Sequence, residues 1–247
     1  MNNKFFYLFF GFYLCLNISQ VQAQSKSTST MDSGLSVEAS QIAMVKTPSE
    51  ASQLVKGWSD KTRQGVQNMI AQETSVNKEI DVSYARLVKT CELAQAMKDS
   101  APRFDSANAE VYEKQFLNRI TKLENTRADL LSRYQNLIGG LNASQPKDCG
   151  GWGGGDSIPC IVYTYKKEMG AFMLTHVGTY YDILNKRYKT YLQIVGQAKQ
   201  GCVRPDFLSK LSRSDEEHLI SYEAKSTQIF NRLHNSISNA FINQSAP

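Results

Sequence analysis

Residues 112–141, YEKQFLNRITKLENTRADLLSRYQNLIGGL, decide the fold. Tyr112, Phe116, Ile120, Leu123, Arg127, Leu130, Tyr134, Leu137 and Leu141 recur at spacings of three and four. That spacing lines one face of a helix and leaves the charged residues between them to water. Arg127 is a single polar layer in the stripe. The helix is expected to begin near Asp105 or Ser106, to loosen at Gly139-Gly140 and to end before Pro146.

The same period extends to both sides. Upstream, Thr47-Pro48-Ser49-Glu50 has the form of a capping box with proline at the first helical position. Ala51, Val55, Trp58, Thr62, Val66, Met69, Glu73, Val76, Ile80, Leu87, Cys91 and Ala94 follow as a coiled-coil-like seam with polar breaks. Lys98-Asp99-Ser100-Ala101-Pro102 closes this helix, which at ~1.5 Å per residue is on the order of 75 Å long. Downstream, Ser157 is placed to cap a third helix with Pro159 in its first turn. Its stripe is Val162, Tyr165, Met169, Phe172, His176, Tyr180, Ile183, Arg187, Tyr191 and Ile194, and Gly201 ends it. A connector at 205–212 then leads to a second capping box, Ser214-Asp215-Glu216-Glu217. The last helix carries Leu219, Tyr222, Ser226, Ile229, Leu233, Ile237 and Ala240 on its stripe. No stretch alternates with period two between turn dipeptides, as a sheet requires. The expected fold is all-α: an elongated up-and-down bundle of four long helices with coiled-coil-like seams and a Gly-rich loop closed by a disulfide.

Residues 1–23 read as a cleaved secretory signal. Lys4 precedes an apolar run from Phe5 to Leu16, too short to span a bilayer, and Val21-Gln22-Ala23 supplies a small-residue cleavage site. Residues 24–46 are rich in Ser, Thr and Gln and are expected to be flexible, with a weak amphipathic stretch from Leu35 to Val45. The helical domain is assigned to 47–243 and a disordered tail to 244–247. Without Lys4 the chain has 27 basic and 23 acidic residues, a mild bias that does not demand nucleic acid. The tyrosines at 180, 181, 188 and 191 interleave with Lys186, Arg187 and Lys189, a mixture that binds single strands in some proteins. In an exported chain it reads better as a solvated face with snorkelling bases. Histidine occurs at 176, 218 and 234 alone, which leaves little material for histidine-based catalysis or metal binding. His176 falls on an apolar stripe and is expected in the core.

An export signal places the cysteines where disulfides form. With helices running alternately up and down, Cys91 and Cys202 fall at one end, and Cys149 and Cys160 at the other. Bridged Cα atoms lie within ~7 Å, so the pairs Cys91–Cys202 and Cys149–Cys160 are expected. The longer bridge would close about 110 residues, worth up to ~5 kcal/mol in the chain-entropy account. Loop 149–160 contains Gly150-Gly151-Trp152-Gly153-Gly154-Gly155. Glycines around Trp152 give it little local cover, and a staple at the loop base would present it at one end of the domain. Trp152, with Gly151 and Gly153, therefore forms the candidate interaction loop, unless the indole folds back to plug the bundle.

Gly155-Asp156-Ser157 resembles the Gly-Asp-Ser motif of the SGNH hydrolases, and Asp215-Glu216-Glu217-His218 resembles their Asp-x-x-His motif. The resemblance implies Ser157 as nucleophile, His218 as base and Asp215 as its orienter. It also implies an α/β sheet with Gly and Asn oxyanion donors, whereas here one amphipathic helix fills the interval. Both motifs have a sufficient use as helix caps, so no enzyme, cofactor or metal is expected. The layout of signal, long helices and terminal loop resembles that of the helical minor components of type IV secretion pili. The expectation is an exported, periplasmic or extracellular structural or adaptor protein of an envelope assembly serving secretion, conjugation or a pilus. It would act by contact with protein partners or with its own copies, with a membrane surface as a possible partner. The alternatives are a membrane-active helical protein using the Trp152 loop and a periplasmic ligand or chaperone-type binder.

Overall fold

The computed structural model describes residues 41–42, 44–96, 104–149 and 154–239. The chain divides into two units, Met1–Ala43 and Met44–Pro247. Gln41 and Ile42 are the described residues of the first, and both are helical. The expected signal at 1–23 and the expected tail at 244–247 lie outside the described residues. The second unit is all-helical: α1 (Pro48–Ala96), α2 (Ala109–Ala143), α3 (Ile158–Lys199) and α4 (Pro205–Asn239), with 3₁₀ turns at Lys147–Cys149 and Gly154–Asp156. Among the described residues there is no strand.

The capping box forms as its residues require. The Glu50 N–H donates to Thr47 Oγ1 at 3.3 Å. Glu50 Oε2 accepts from the N–H groups of Lys46 at 3.0 Å and Thr47 at 3.2 Å. These bonds to otherwise orphaned donors hold the Glu50 carboxyl below its ordinary value. At the other end, Gly201 stands at φ 75° and closes α3. Its N–H donates to Ala198 O at 2.9 Å, and Cys202 N–H reaches back to Gln197 O at 3.2 Å, a Schellman cap.

Four boundary expectations need correction. First, α2 is regular from Ala109, because Asp105 Oδ1 takes the Ala107 N–H at 2.9 Å in a preceding turn. Second, Gly139-Gly140 does not loosen α2: it continues to Ala143, and Ser144 ends it through bonds to Gly140 O and Leu141 O. Third, Ser157 occupies the N-cap position of α3 with extended backbone, but its hydroxyl makes no cap bond. Pro159 stands where one of the two usual N–H partners would be and has none to give. Fourth, the connector 205–212 is helical. Pro205 opens α4, Asp206 accepts from Arg204 and Lys210, and Leu208 is buried. The Ser214–Glu217 box therefore lies inside the helix, with Asp215 turned inward.

Helix α3 is the core of the unit. It buries 19 of its 42 residues, and α2 buries 6 of 35, so α2 packs by one stripe and α3 by more than one face. Beside the expected stripe, α3 buries Tyr163, Met173, Val177, Tyr181, Leu184, Tyr188, Val195 and Ala198. The tyrosines at 180, 181, 188 and 191 thus do not form a solvated face: all four rings are in the core, and only Lys186 and Lys189 of that cluster face water. Pairings fix the directions. Along α1 and α3, Trp58 meets Tyr165, Arg63 lies over Phe172, and Asn77 bonds Ile183 O, so both helices run the same way. Along α2 and α3, Phe116 meets Tyr191, Arg127 pairs with Asp182, and Ile138 meets Gly170, so these run oppositely. Helix α4 runs with α2: Ser212 bonds Gln115, and Tyr134 donates to Phe230 O at 2.6 Å.

Candidate functional site

Two places gather chemistry. The first is the stapled end. Cys149, closing one 3₁₀ turn, and Cys160, in the first turn of α3, are joined by a disulfide with Cα atoms 5.2 Å apart. Residues 150–153, which include Gly151, Trp152 and Gly153, lie outside the described residues. The loop rejoins α3 through Gly155, which borders a groove of about 310 Å³ between α1 and α3. Ser52, Val55, Lys56 and Ser59 line it from one face of α1, and Ile161, Thr164, Tyr165 and Glu168 from one face of α3. Both sets follow the three-and-four spacing, so each helix contributes one edge. Trp58 packs on Tyr165 with ring centres 5.9 Å apart and fixes that wall. Lys56 and Asp60 are paired at 2.6 Å across one turn. The lining therefore offers hydroxyls, a charge pair and the Glu168 carboxylate beside Val55, Ile161 and the Tyr165 ring.

The second place is a polar layer inside the four helices. Arg187 of α3 is ion-paired with Glu73 of α1 and donates from Nε to Asn77 Oδ1 at 2.8 Å. His218 Nε2 of α4 lies 3.1 Å from Glu73 Oε1. Burial pushes the Glu73 carboxyl up, but the His218 hydrogen bond and the Arg187 charge outweigh it and hold it below its ordinary value. One turn away, Arg119 of α2 pairs with Asp215 of α4, which also accepts from the Tyr188 hydroxyl at 3.0 Å. Here burial prevails over Arg119 and Tyr188, and the Asp215 carboxyl stands above its ordinary value.

The structure separates the residues of the hydrolase-like motifs. Ser157 precedes α3, whereas Asp215 and His218 bond to groups beside Tyr188 and Arg187, about 45 Å along the helix at ~1.5 Å per residue. Asp215 points to Arg119 and Tyr188, and His218 to Glu73, so neither orients the other toward a serine. His176 sits half-buried, its Nδ1 2.7 Å from Phe172 O and its ring 3.8 Å from the Phe172 ring. The expected Cys91–Cys202 bridge is not formed: both are free thiols, Cys91 buried and Cys202 half-buried, and they are side-chain neighbours. Among the described residues, no group of three or more His, Cys, Asp or Glu side chains could hold a metal ion. No described helix is long and apolar enough to cross a membrane.

Residue pattern alone gave no pointer to the groove, whose lining is ordinary helix surface in each strand of sequence. The polar layer did leave a signal: Glu73 and Arg187 are an acid and a base set into two largely apolar stripes. No family model matches the chain, and no curated protein or solved structure is similar to it at a significant level.

Proposed function

We propose that the chain is an exported, non-catalytic helical structural or adaptor protein of a cell-envelope assembly, of the kind that serves secretion, conjugation or a pilus. In this reading it is an elongated up-and-down bundle with coiled-coil-like seams. The disulfide-closed loop at one end presents Trp152, flanked by Gly151 and Gly153, to a protein partner or a second copy. The observation that carries the reading is the seat of the loop: the Cys149–Cys160 bridge fixes its base beside the groove bordered by Gly155. Tryptophan is among the residues on which protein contacts concentrate their binding energy. Export is supported by the residue pattern of 1–23.

The test is affinity capture from an envelope fraction with the intact protein, Trp152→Ala and Thr164→Arg, the last chosen to fill the groove. The expected result is a defined partner, or the protein's own copies, recovered by wild type and lost with both variants. Recovery of the same partners by all three would overturn the proposed contact. Binding to vesicles of anionic lipid that vanishes with Trp152→Ala would replace it by the membrane-active reading.

A further inference from the structure

We propose that Cys91 and Cys202 form a reversible dithiol clasp whose oxidation ties the last third of α1 to the turn between α3 and α4. The proposal rests on the thiols and their surroundings alone, and not on the adaptor role.

The two sides of the clasp differ in how firmly they are held. Cys202 follows the Schellman cap: its N–H is bonded to Gln197 O, and Gly201 O accepts from Phe104 N–H at 3.0 Å. Its backbone is thus tied to the end of α3 and, through Phe104, to the entry of α2. The end of α1 is held more weakly. Among the described side chains of 78–96, Cys91 alone is buried, at 3 % exposure. Ile80, Tyr84 and Leu87 lean half-buried on the core, while Val82 and Leu93 face water. Its polar ties are few: Lys186 with Asp81 at 2.8 Å and Gln95 with Gln200 at 3.4 Å are exposed, and the half-buried one is the Thr190 hydroxyl donating to Asp81 Oδ1 at 3.2 Å. Exposed pairs contribute little, and a segment with few buried contacts opens locally at low cost. A bond at Cys91 would fasten that segment at the one side chain buried among those described.

The chemistry follows from the asymmetry of the thiols. Cys202 is half-buried and reaches a solvent oxidant first. Its thiolate attacks one sulfur of a small-molecule or protein disulfide, forming a mixed disulfide and releasing one thiol. Cys91 then loses its proton and attacks Cys202 Sγ, and the second thiol leaves. Two S–H bonds are lost, one S–S bond forms, and two electrons and two protons reduce the oxidant disulfide to two thiols. Burial, together with the contact from Cys202, pushes the Cys91 thiol up to about 12, which makes the second step the slow one and speeds it as pH rises.

The experiment uses the full chain, reduced at this pair and then exposed to glutathione disulfide. It is read by non-reducing peptide mapping and by amide exchange of the peptides covering 78–96. Wild type should give a Cys91–Cys202 bridge beside the intact Cys149–Cys160 bridge. Exchange in 78–96 should slow at least about tenfold. Cys91→Ser should accumulate a lasting glutathione adduct on Cys202, and Cys202→Ser should leave Cys91 unmodified. A lasting adduct in wild type with no bridge, or modification of Cys91 in Cys202→Ser at the wild-type rate, would overturn the proposed reaction. A bridge that leaves exchange in 78–96 unchanged would overturn the clasp. The wild-type measurements stand even if either variant fails to fold.

Discussion

Glu73 and Arg187 join α1 to α3 through an ion pair sealed from water: the Glu73 side chain is 0 % exposed and that of Arg187 2 %. Arg187 also donates to the Glu73 carbonyl at 3.2 Å and to Asn77, while His218 covers the other carboxylate oxygen. A buried pair repays its desolvation only when its remaining hydrogen-bonding positions are filled, and here three helices fill them. Removing one partner strands the other charge. Glu73→Leu and Arg187→Leu should each destabilise the fold by about 3–5 kcal/mol, and the double variant by less than the sum of the two. Urea denaturation of the four proteins forms the cycle. A coupling near zero would show that the pair is incidental to stability.

The two buried carboxylates should make opposite contributions to acid stability. Glu73 ionises below its ordinary value of 4.5 in the folded state, so the unfolded chain binds more protons there. Its contribution is present above that value and is lost as pH falls through the lowered folded one. Asp215 ionises above its ordinary value of 3.8, so the folded state holds the proton better. Stability from Asp215 is gained as pH falls through its raised value. In urea melts between about pH 3 and 6, Glu73→Gln should flatten the acid loss and Asp215→Asn should steepen it. The reverse order would mean that Asp215, and not Glu73, is the carboxylate stabilised in its charged form.

How much of this was legible in residue order depends on how many faces an element buries. Helix α2 buries one stripe, and Phe116, Leu123, Leu130, Tyr134 and Leu141 are buried where the three-and-four spacing puts them. Helix α3 is packed from several sides, so one stripe described only part of it, and the core tyrosines Tyr181 and Tyr188, off that stripe, passed for a solvated face. Their interleaving with lysines hid them, although Met173, Val177, Tyr181, Leu184 and Tyr188 themselves keep helical spacing. Ser214–Glu217 matched a capping box because local pattern cannot see Arg119, which turns Asp215 inward. The Cys149–Cys160 bridge was readable because helix directions left few partners within reach. The groove was not, because it exists only where two separate helix faces meet.

Lys166 of α3 offers an alkaline test. It is 1 % exposed, and burial pushes its amine down to about 7. The unfolded chain keeps the proton up to about 10.4, so above pH 7 the unfolded state binds more protons and stability rises with pH. That contribution is lost as pH falls to about 7 and stays lost below it. Lys166→Met keeps the length of the side chain and removes the amine. It should raise stability at pH 7 by about 1–3 kcal/mol and abolish the rise between pH 7 and about 9. Thermal or urea melts of both proteins across that range decide the matter; an unchanged slope would place the origin elsewhere.

Two glycines in helices should respond to alanine in opposite directions. At Gly139 a Cβ would meet nothing within 4 Å, and α2 runs on past it to Ala143. Alanine there loses less backbone entropy on folding and clashes with nothing, so Gly139→Ala should stabilise by up to about 1 kcal/mol. At Gly170 a Cβ would stand 3.1 Å from Ile138 Cγ1, at the contact where α2 crosses α3. The same helical gain is available there, but Ile138 must shift to relieve the contact. Gly170→Ala should therefore be destabilising by about 1–2 kcal/mol. Pairing it with Ile138→Val, which withdraws one methyl from the contact, should recover part of the loss. Equal stabilisation by both alanines would mean that α2 and α3 are not held as closely at Ile138 and Gly170 as their geometry requires.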